Sequence, residues 1–317
     1  MSTPGPAGPA SPPDPWIWGS HRIHWIRHAA KDRGQGGLGS VVLIHGFGAC
    51  VNHWRHTMAD LNPGIDVYAL DLLGFGASDK PRSHLSGEPA EAGSVRYCFD
   101  LWADQVQAFL TEVVPAGPVQ LIGNSIGALV ALAAADRLQS AGHPPRQVVL
   151  IDCAQRTLDE RRLASLPGWE RASRPLIKRL VRQRWLLTPL FRFVGRPSFI
   201  RQVLAQAYPS GANLDDALVQ ILLKPALEVG AVESFRGFVN LFEDHLAPDH
   251  LARLTVPVRM IWGARDPWED PAEARQWADQ FDCIQELIVL DGLGHCPHDE
   301  APERVNPILR RWLDLMA

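Results

Sequence analysis

The stretch VQLIGNSIGALVAL, residues 119–132, sets a lone serine between two glycines where an apolar strand gives way to an alanine-rich helix. Either this is only a strand-to-helix junction capped by Asn124 or Ser125, or it presents Ser125 as a nucleophile. The second reading needs strand, tight turn and helix in that order, with Gly123 and Gly127 removing side chains that would collide while the serine is held clear of the backbone. All three features are present. A serine hydroxyl is a weak nucleophile at neutral pH, so the reading also needs a base oriented by a carboxylate, in the chain order serine, acid, histidine.

Both partners follow in that order. MIWGARDPWEDP (260–271) supplies Asp266 just after an apolar strand, and VLDGLGHCPHDEAPE (289–303) supplies His295 in the loop after the next one. Asp152 and Asp270 are rivals for the acid, Asp152 the main one; the position after the penultimate strand favours Asp266. His298, close to the start of the last helix, is expected to orient the loop. An acyl transfer further requires N–H donors for a tetrahedral oxyanion. Ile126, first in its helix, offers one, and LIHGFGAC (43–50) offers a second from Phe47, where Gly46 and Gly48 let the main chain turn inward. The histidines other than His295 and His298 default to surface or core roles. No histidine or cysteine spacing suggests a metal, and no cofactor is expected.

The rest of the chain is consistent with one large core. Its 317 residues are 46% apolar with a formal net charge of −4, which gives no global attraction to nucleic acid. No apolar run is long enough to span a bilayer. Five scattered cysteines without C-x-x-C spacing suggest neither a zinc site nor a disulfide framework, so a reducing cytoplasm is the expected setting. Residues 1–15, MSTPGPAGPASPPDP, read as a disordered tail. WIWGSHRIHWIRHA (16–29) reads as a hairpin turning at Gly19-Ser20. Strands SVVLIHG, DVYALDLLG, PVQLIG, RQVVLIDCA, VPVRMIWGA and QELIVLDG then alternate with helical patterns, implying an α/β fold with a mostly parallel sheet and helices on both faces. The core is expected over 16–154 and 251–317.

Residues 155–250 break this rhythm and read as wholly helical. In PLIKRLVRQRWLL (175–187) the residues Leu176, Ile177, Leu180, Val181 and Leu187 share one face, with Lys178, Arg179, Arg182 and Arg184 largely opposite. This predicts one amphipathic helix, its apolar stripe on the domain and its basic face outward. An insertion at the carboxyl end of a parallel sheet stands where such sheets bind ligands, so it is expected to form a lid, with Trp185, Leu187 and Phe191 toward the substrate.

These motifs resemble those of the α/β-hydrolase serine hydrolases over nearly everything after residue 15. DLWADQVQAFLTEVV leading into IGNSIG, with GARDPW and above all GHCPHDEAPERVN, resembles the pheophytinase and chlorophyll-dephytylating branch. The resemblance implies hydrolysis of a phytyl ester of pheophytin or a related pigment, with Ser125, Asp266 and His295 at the triad positions. It implies a phytylated tetrapyrrole as the small-molecule partner. Plant members carry plastid-targeting segments that residues 1–15 do not resemble, so a cytoplasmic setting is expected, and contact of the basic lid helix with the photosynthetic membranes where such pigments reside stays open. One departure is Ala128, where that branch commonly carries a further glycine. Two other functions are compatible with the fold: a C–C bond hydrolase, since a GNS elbow also occurs there, and a non-catalytic binding protein, which usually shows a broken triad.

Overall fold

The structure is a computed structural model and describes residues 14–30, 39–61 and 64–315. Most of the Pro-rich tail read over 1–15 therefore lies outside the described residues. Trp16–Trp18 (β1) and His21–Ile23 (β2) pair antiparallel, with Trp18 opposite His21 and Gly19 in the left-handed region that such a tight turn requires. The expected hairpin continues differently: Trp25–His28 (β3) leaves it to join the main sheet as an antiparallel edge strand.

The main sheet adds Ser40–Ile44 (β4), Asp66–Leu70 (β5), Val119–Asn124 (β6), Gln147–Ile151 (β7), Val258–Gly263 (β8) and Ile284–Leu290 (β9). Its order is β3-β5-β4-β6-β7-β8-β9, parallel throughout except for β3. Every residue of β4, β5 and β7 is buried, which is why these strands read as continuous apolar runs without alternation. Helices Arg55–Leu61 (α1), Phe99–Glu112 (α2) and Ile126–Ser140 (α3) fill the first crossovers. Helix α3 buries residues on every side, and its alanines allow close approach to sheet and α2 at once. Ala128 is fully buried within this packing.

Between β7 and β8 lie Gly168–Val181 (α4), Arg184–Val194 (α5), Pro197–Ala207 (α6), Asp216–Ala226 (α7), Ala231–Val239 (α8) and Ala247–Leu251 (α9). Pro271–Gln280 (α10), Pro297–Glu300 (α11) and Pro302–Trp312 (α12) complete the chain. Helix α9 is tied to α3 through His250 Nδ1 and Asp136 Oδ2, 2.9 Å apart.

The segment 175–187 departs from expectation twice. It is two helices, because the carbonyls ending α4 are claimed by side chains of and just beyond α8: Asn240 Nδ2 donates to Val181 O (2.8 Å) and Arg236 Nε to Arg182 O (3.0 Å). Within α4 the packing is also largely the reverse of that predicted, although Arg179 is exposed and Leu187, now in α5, is buried as expected. Arg174 and Lys178 reach Glu160 at 3.1 Å, Arg182 reaches Glu88 at 3.6 Å, and Leu176, Ile177 and Leu180 face outward. Arg174 and Lys178 also hold their charged groups over the Phe242 ring, 5.0 and 4.9 Å from its centre, which turns the cationic face toward the body.

Candidate active site

Strand β6 delivers Ser125 into the turn before α3 with φ 57° and ψ −123°, a conformation sparsely populated by non-glycine residues. The surroundings hold it there. Ser125 N–H donates to Ile151 O, and its carbonyl accepts from Ala128 and Ala154 N–H. The flanking glycines are required by space: a Cβ at Gly123 would stand 2.2 Å from Gly127 O, and one at Gly127 would stand 2.3 Å from Ile44 O. Asn124 spans the sheet beneath, its Nδ2 donating to Ile151 O (3.2 Å) and to His295 O (3.1 Å). One residue before the serine thus fixes the backbone of the histidine.

His295 follows β9, and its Nδ1 lies 2.7 Å from Asp266 Oδ2. Asp266 follows β8. Its Oδ1 accepts from Trp268 N–H (2.9 Å) and Glu269 N–H (3.2 Å), and Trp268 packs edge-on against the His295 ring. Burial works against an Asp266 anion, yet the hydrogen bond and charge of His295, a hydrogen bond from Asp152 and the Trp268 N–H together hold its pKa below the usual range. Asp266 is therefore an ionised acceptor facing His295 Nδ1, an arrangement that favours the ring proton on Nδ1 and a free lone pair on Nε2.

Asp152, the rival acid, sits in the same cluster at φ 44° and is completely buried. Its Oδ1 accepts from Gly263 N–H at 2.9 Å, while Oδ2 meets no donor. Two buried carboxylates this close cannot both ionise; burial, then the charge of Asp266, raises the Asp152 pKa well above the ordinary value. Asp152 is thus a neutral acid whose proton serves the Asp266 anion. Asp270, the other rival, accepts from Ala272 N–H and caps α10. Among the described residues, Asp152, Asp266 and His295 are the one such group able to share a metal ion, their ligand atoms lying within 4.8 Å of one another. The short His295–Asp266 hydrogen bond occupies the lone pair and proton that a metal would have to displace.

Glu269, beside this cluster, has its pKa raised to about 8, chiefly by burial. A carboxyl whose folded-state pKa is raised stabilises the fold fully below its unfolded value and progressively loses that contribution up to the folded one. Glu269→Gln keeps the acceptor for Gln155 N–H, 2.8 Å away in the wild type, but carries no proton to lose. Urea unfolding between pH 5 and 8 should show wild-type stability falling relative to Glu269→Gln by up to about 1.4 kcal/mol per pH unit. Parallel pH profiles would show that Glu269 does not titrate in this range.

Of the two expected oxyanion donors, Ile126 is the first residue of α3, whose N–H has no acceptor within the helix. Phe47 lies on the neighbouring turn: a Cβ at Gly46 would come within 3.1 Å of Ser125 Cβ, so the two backbones run side by side. The peptide joining Gly46 to Phe47 is held by His45, which sequence reasoning left without a role. Leu72 N–H donates to His45 Nε2 (3.1 Å), so the ring proton is on Nδ1 and goes to Gly46 O (2.8 Å). Burial lowers the His45 pKa despite Asp71 and keeps the ring neutral. Fixing Gly46 C=O fixes the opposite end of that peptide plane, the Phe47 N–H.

The segment 294–300 proves to be a junction. Glu300 accepts from Gly294 N–H, Ser210 N–H and Ser210 Oγ–H. Asp299 accepts from Arg55 Nε (2.8 Å) and Tyr208 O–H (3.0 Å), and His295 N–H donates to Ala207 O. His298 is buried against Trp54 and His53, kept neutral by burial; among the described residues neither ring nitrogen has a partner, so it supports the loop by packing. The motif GHCPHDE thus ties the His295 loop to the end of α6.

An apolar cleft opens at Phe47, between Phe75, Gly74 and Gly76 of the core and Phe191, Val194, Phe199, Ile200, Leu222 and Phe235 of the inserted helices. Phe191 lines it. Leu187 is buried but stands outside the lining, and Trp185 is 71% exposed on the outer surface.

Residues 41–308 match the Alpha/beta hydrolase family, and the chain belongs to that family. It is a hydrolase of the α/β fold, with a mostly parallel sheet flanked by helices. It is 28% identical over 86% of its length to the chloroplastic pheophytinase of Arabidopsis thaliana, of whose own length it spans 61%. It is 25% identical to the human (lyso)-N-acylphosphatidylethanolamine lipase, over 86% of this chain and 79% of that one. A thermophilic esterase from Thermogutta terrifontis superposes with a TM-score of 0.67 at 20% identity, over 93% of each chain.

Proposed function

We propose that the protein is a serine carboxylic-ester hydrolase for esters with a long apolar chain, a phytylated tetrapyrrole such as pheophytin being the preferred candidate. The observation that carries this reading is the apolar cleft beginning at Phe47, beside the Ser125 turn. Ser125 Oγ attacks the ester carbonyl as His295 Nε2 takes its proton, and Ile126 and Phe47 N–H stabilise the oxyanion. The alcohol leaves with the proton returned from His295, and water, activated by the same nitrogen, releases the acid and restores the serine. The inserted helices act as a lid that supplies most of the cleft wall. The pigment itself rests on the likeness to pheophytinase and on GHCPHDE; the lipase relative also fits a long hydrocarbon chain.

Each CH₂ buried in the cleft contributes about 0.8 kcal/mol, or roughly fourfold in kcat/KM. Along a series of n-alkyl acetates, in which the alcohol lengthens as it does in a phytyl ester, kcat/KM should therefore climb steeply from ethyl acetate until the cleft is filled. Phe191→Ser with Leu222→Ser should lose at least about tenfold on the long-chain acetates while ethyl acetate is cleaved nearly as before. Equal losses on both would give these side chains a structural role only. Incubation with pheophytin and chlorophyll side by side, with phytol measured as product, tests the pigment; release from neither removes it.

A further inference from the structure

Helix α4 is amphipathic in reverse. Its cationic face is spent on the body of the protein, in the contacts of Arg174 and Lys178 with Glu160 and Phe242, while Trp169, Leu176, Ile177 and Leu180 project outward along one side. Helix α5 continues the surface with Trp185, Leu190 and Phe193; Trp169 and Trp185 are 72% and 71% exposed. Burying these apolar groups inward would have been the ordinary solution for a surface helix, so their outward display needs an occupant. The charge around them indicates which one. From 166 to 199 the chain carries eight Lys and Arg residues and one acid, Glu170, and the exposed Arg171, Arg179 and Arg192 make no ion pair among the described residues. A second copy meeting this face symmetrically would bring like charges together. An anionic bilayer instead offers hydrocarbon to the Leu, Ile and Phe side chains, an interface to the tryptophans and phosphates to the arginines.

We propose that the outer face of α4 and α5 is a docking surface for anionic lipid membranes. The other face of α5 contributes Phe191 and Val194 to the cleft, so the same helix links the bilayer to the interior. Only this last connection rests on the function proposed above; docking itself needs no substrate. The intact protein should sediment with vesicles made of equal parts phosphatidylcholine and phosphatidylglycerol, more weakly with pure phosphatidylcholine, and less as salt rises. Trp169→Ser, Leu176→Ser and Leu180→Ser combined should weaken binding at least about tenfold, while p-nitrophenyl acetate hydrolysis, which these residues do not touch, reports that the variant is folded. Arg179→Glu with Arg192→Glu should remove the preference for the anionic vesicles. Wild-type protein that sediments with neither vesicle, or a triple variant that binds as wild type, overturns the proposal. So does a dimer seen by light scattering that the triple variant dissociates while vesicle binding is absent, which would assign the face to a second copy. Loss of ester hydrolysis with vesicle binding intact would instead count against the hydrolase reading alone.

Discussion

Ser125→Ala should abolish ester hydrolysis, lowering kcat by at least about 10⁴-fold, with the fold unchanged. The backbone of Ser125 is held at its positive φ by hydrogen bonds from its own N–H and carbonyl, none of which involves the hydroxyl. Removing Oγ therefore leaves the turn, Asn124 and the His295 loop in place. What is lost is the atom proposed to form the acyl-enzyme, and no other side chain on that turn can replace it. Residual rate from the Ile126 and Phe47 N–H groups would lie far below wild type, as expected when stabilisation of the oxyanion survives but the nucleophile does not. The decisive measurement pairs p-nitrophenyl butyrate turnover with thermal unfolding. A variant that unfolds at the wild-type temperature yet hydrolyses at a wild-type rate would remove Ser125 from the chemistry and with it the proposed mechanism.

Much of the architecture could be read because parallel strands buried on both faces leave continuous apolar runs, and because G-x-S-x-G joins a strand to a helix in one short stretch. Two things could not be read, for different reasons. A helical wheel divides α4 into two faces but does not say which one packs; that was decided by Glu160, Glu88 and Phe242, whose approach depends on tertiary structure. An uncommonly high count of arginines opposite leucines, with acids just outside the segment, was the available signal. His45 was passed over because its role is carried by backbone partners, Gly46 O and Leu72 N–H, which leave no pattern of side chains to recognise. The acid posed a third kind of difficulty. Asp152 and Asp266 both follow strands of one parallel sheet, and neighbouring strands β7 and β8 bring their ends together, so chain order alone admits both. Geometry separates them, since it is Asp266 that lies 2.7 Å from His295 Nδ1.

That separation yields a paired expectation. Asp266→Asn replaces an ionised acceptor by an amide, which leaves the imidazole free to hold its proton on the wrong nitrogen and gives the developing imidazolium no counter-charge. A loss of about 10⁴-fold in kcat is expected. Asp152→Asn should behave quite differently. In the wild type Asp152 is a neutral acid, accepting from Gly263 N–H and donating toward Asp266. An asparagine reproduces both functions, with its carbonyl on Gly263 and its amide N–H toward Asp266, and asparagine tolerates positive φ better than most residues. Activity within about threefold of wild type is expected. Asp152→Ala removes the donor and leaves Gly263 N–H unpaired, so it should lose activity that Asp152→Asn retains, together with about 1–3 kcal/mol of stability. If Asp152 were the ionised member, the order would invert: Asp152→Asn would be the crippled enzyme and Asp266→Asn the active one. Steady-state kinetics on a short ester distinguish the two cases, because neither carboxyl lines the cleft and chain length does not enter the comparison.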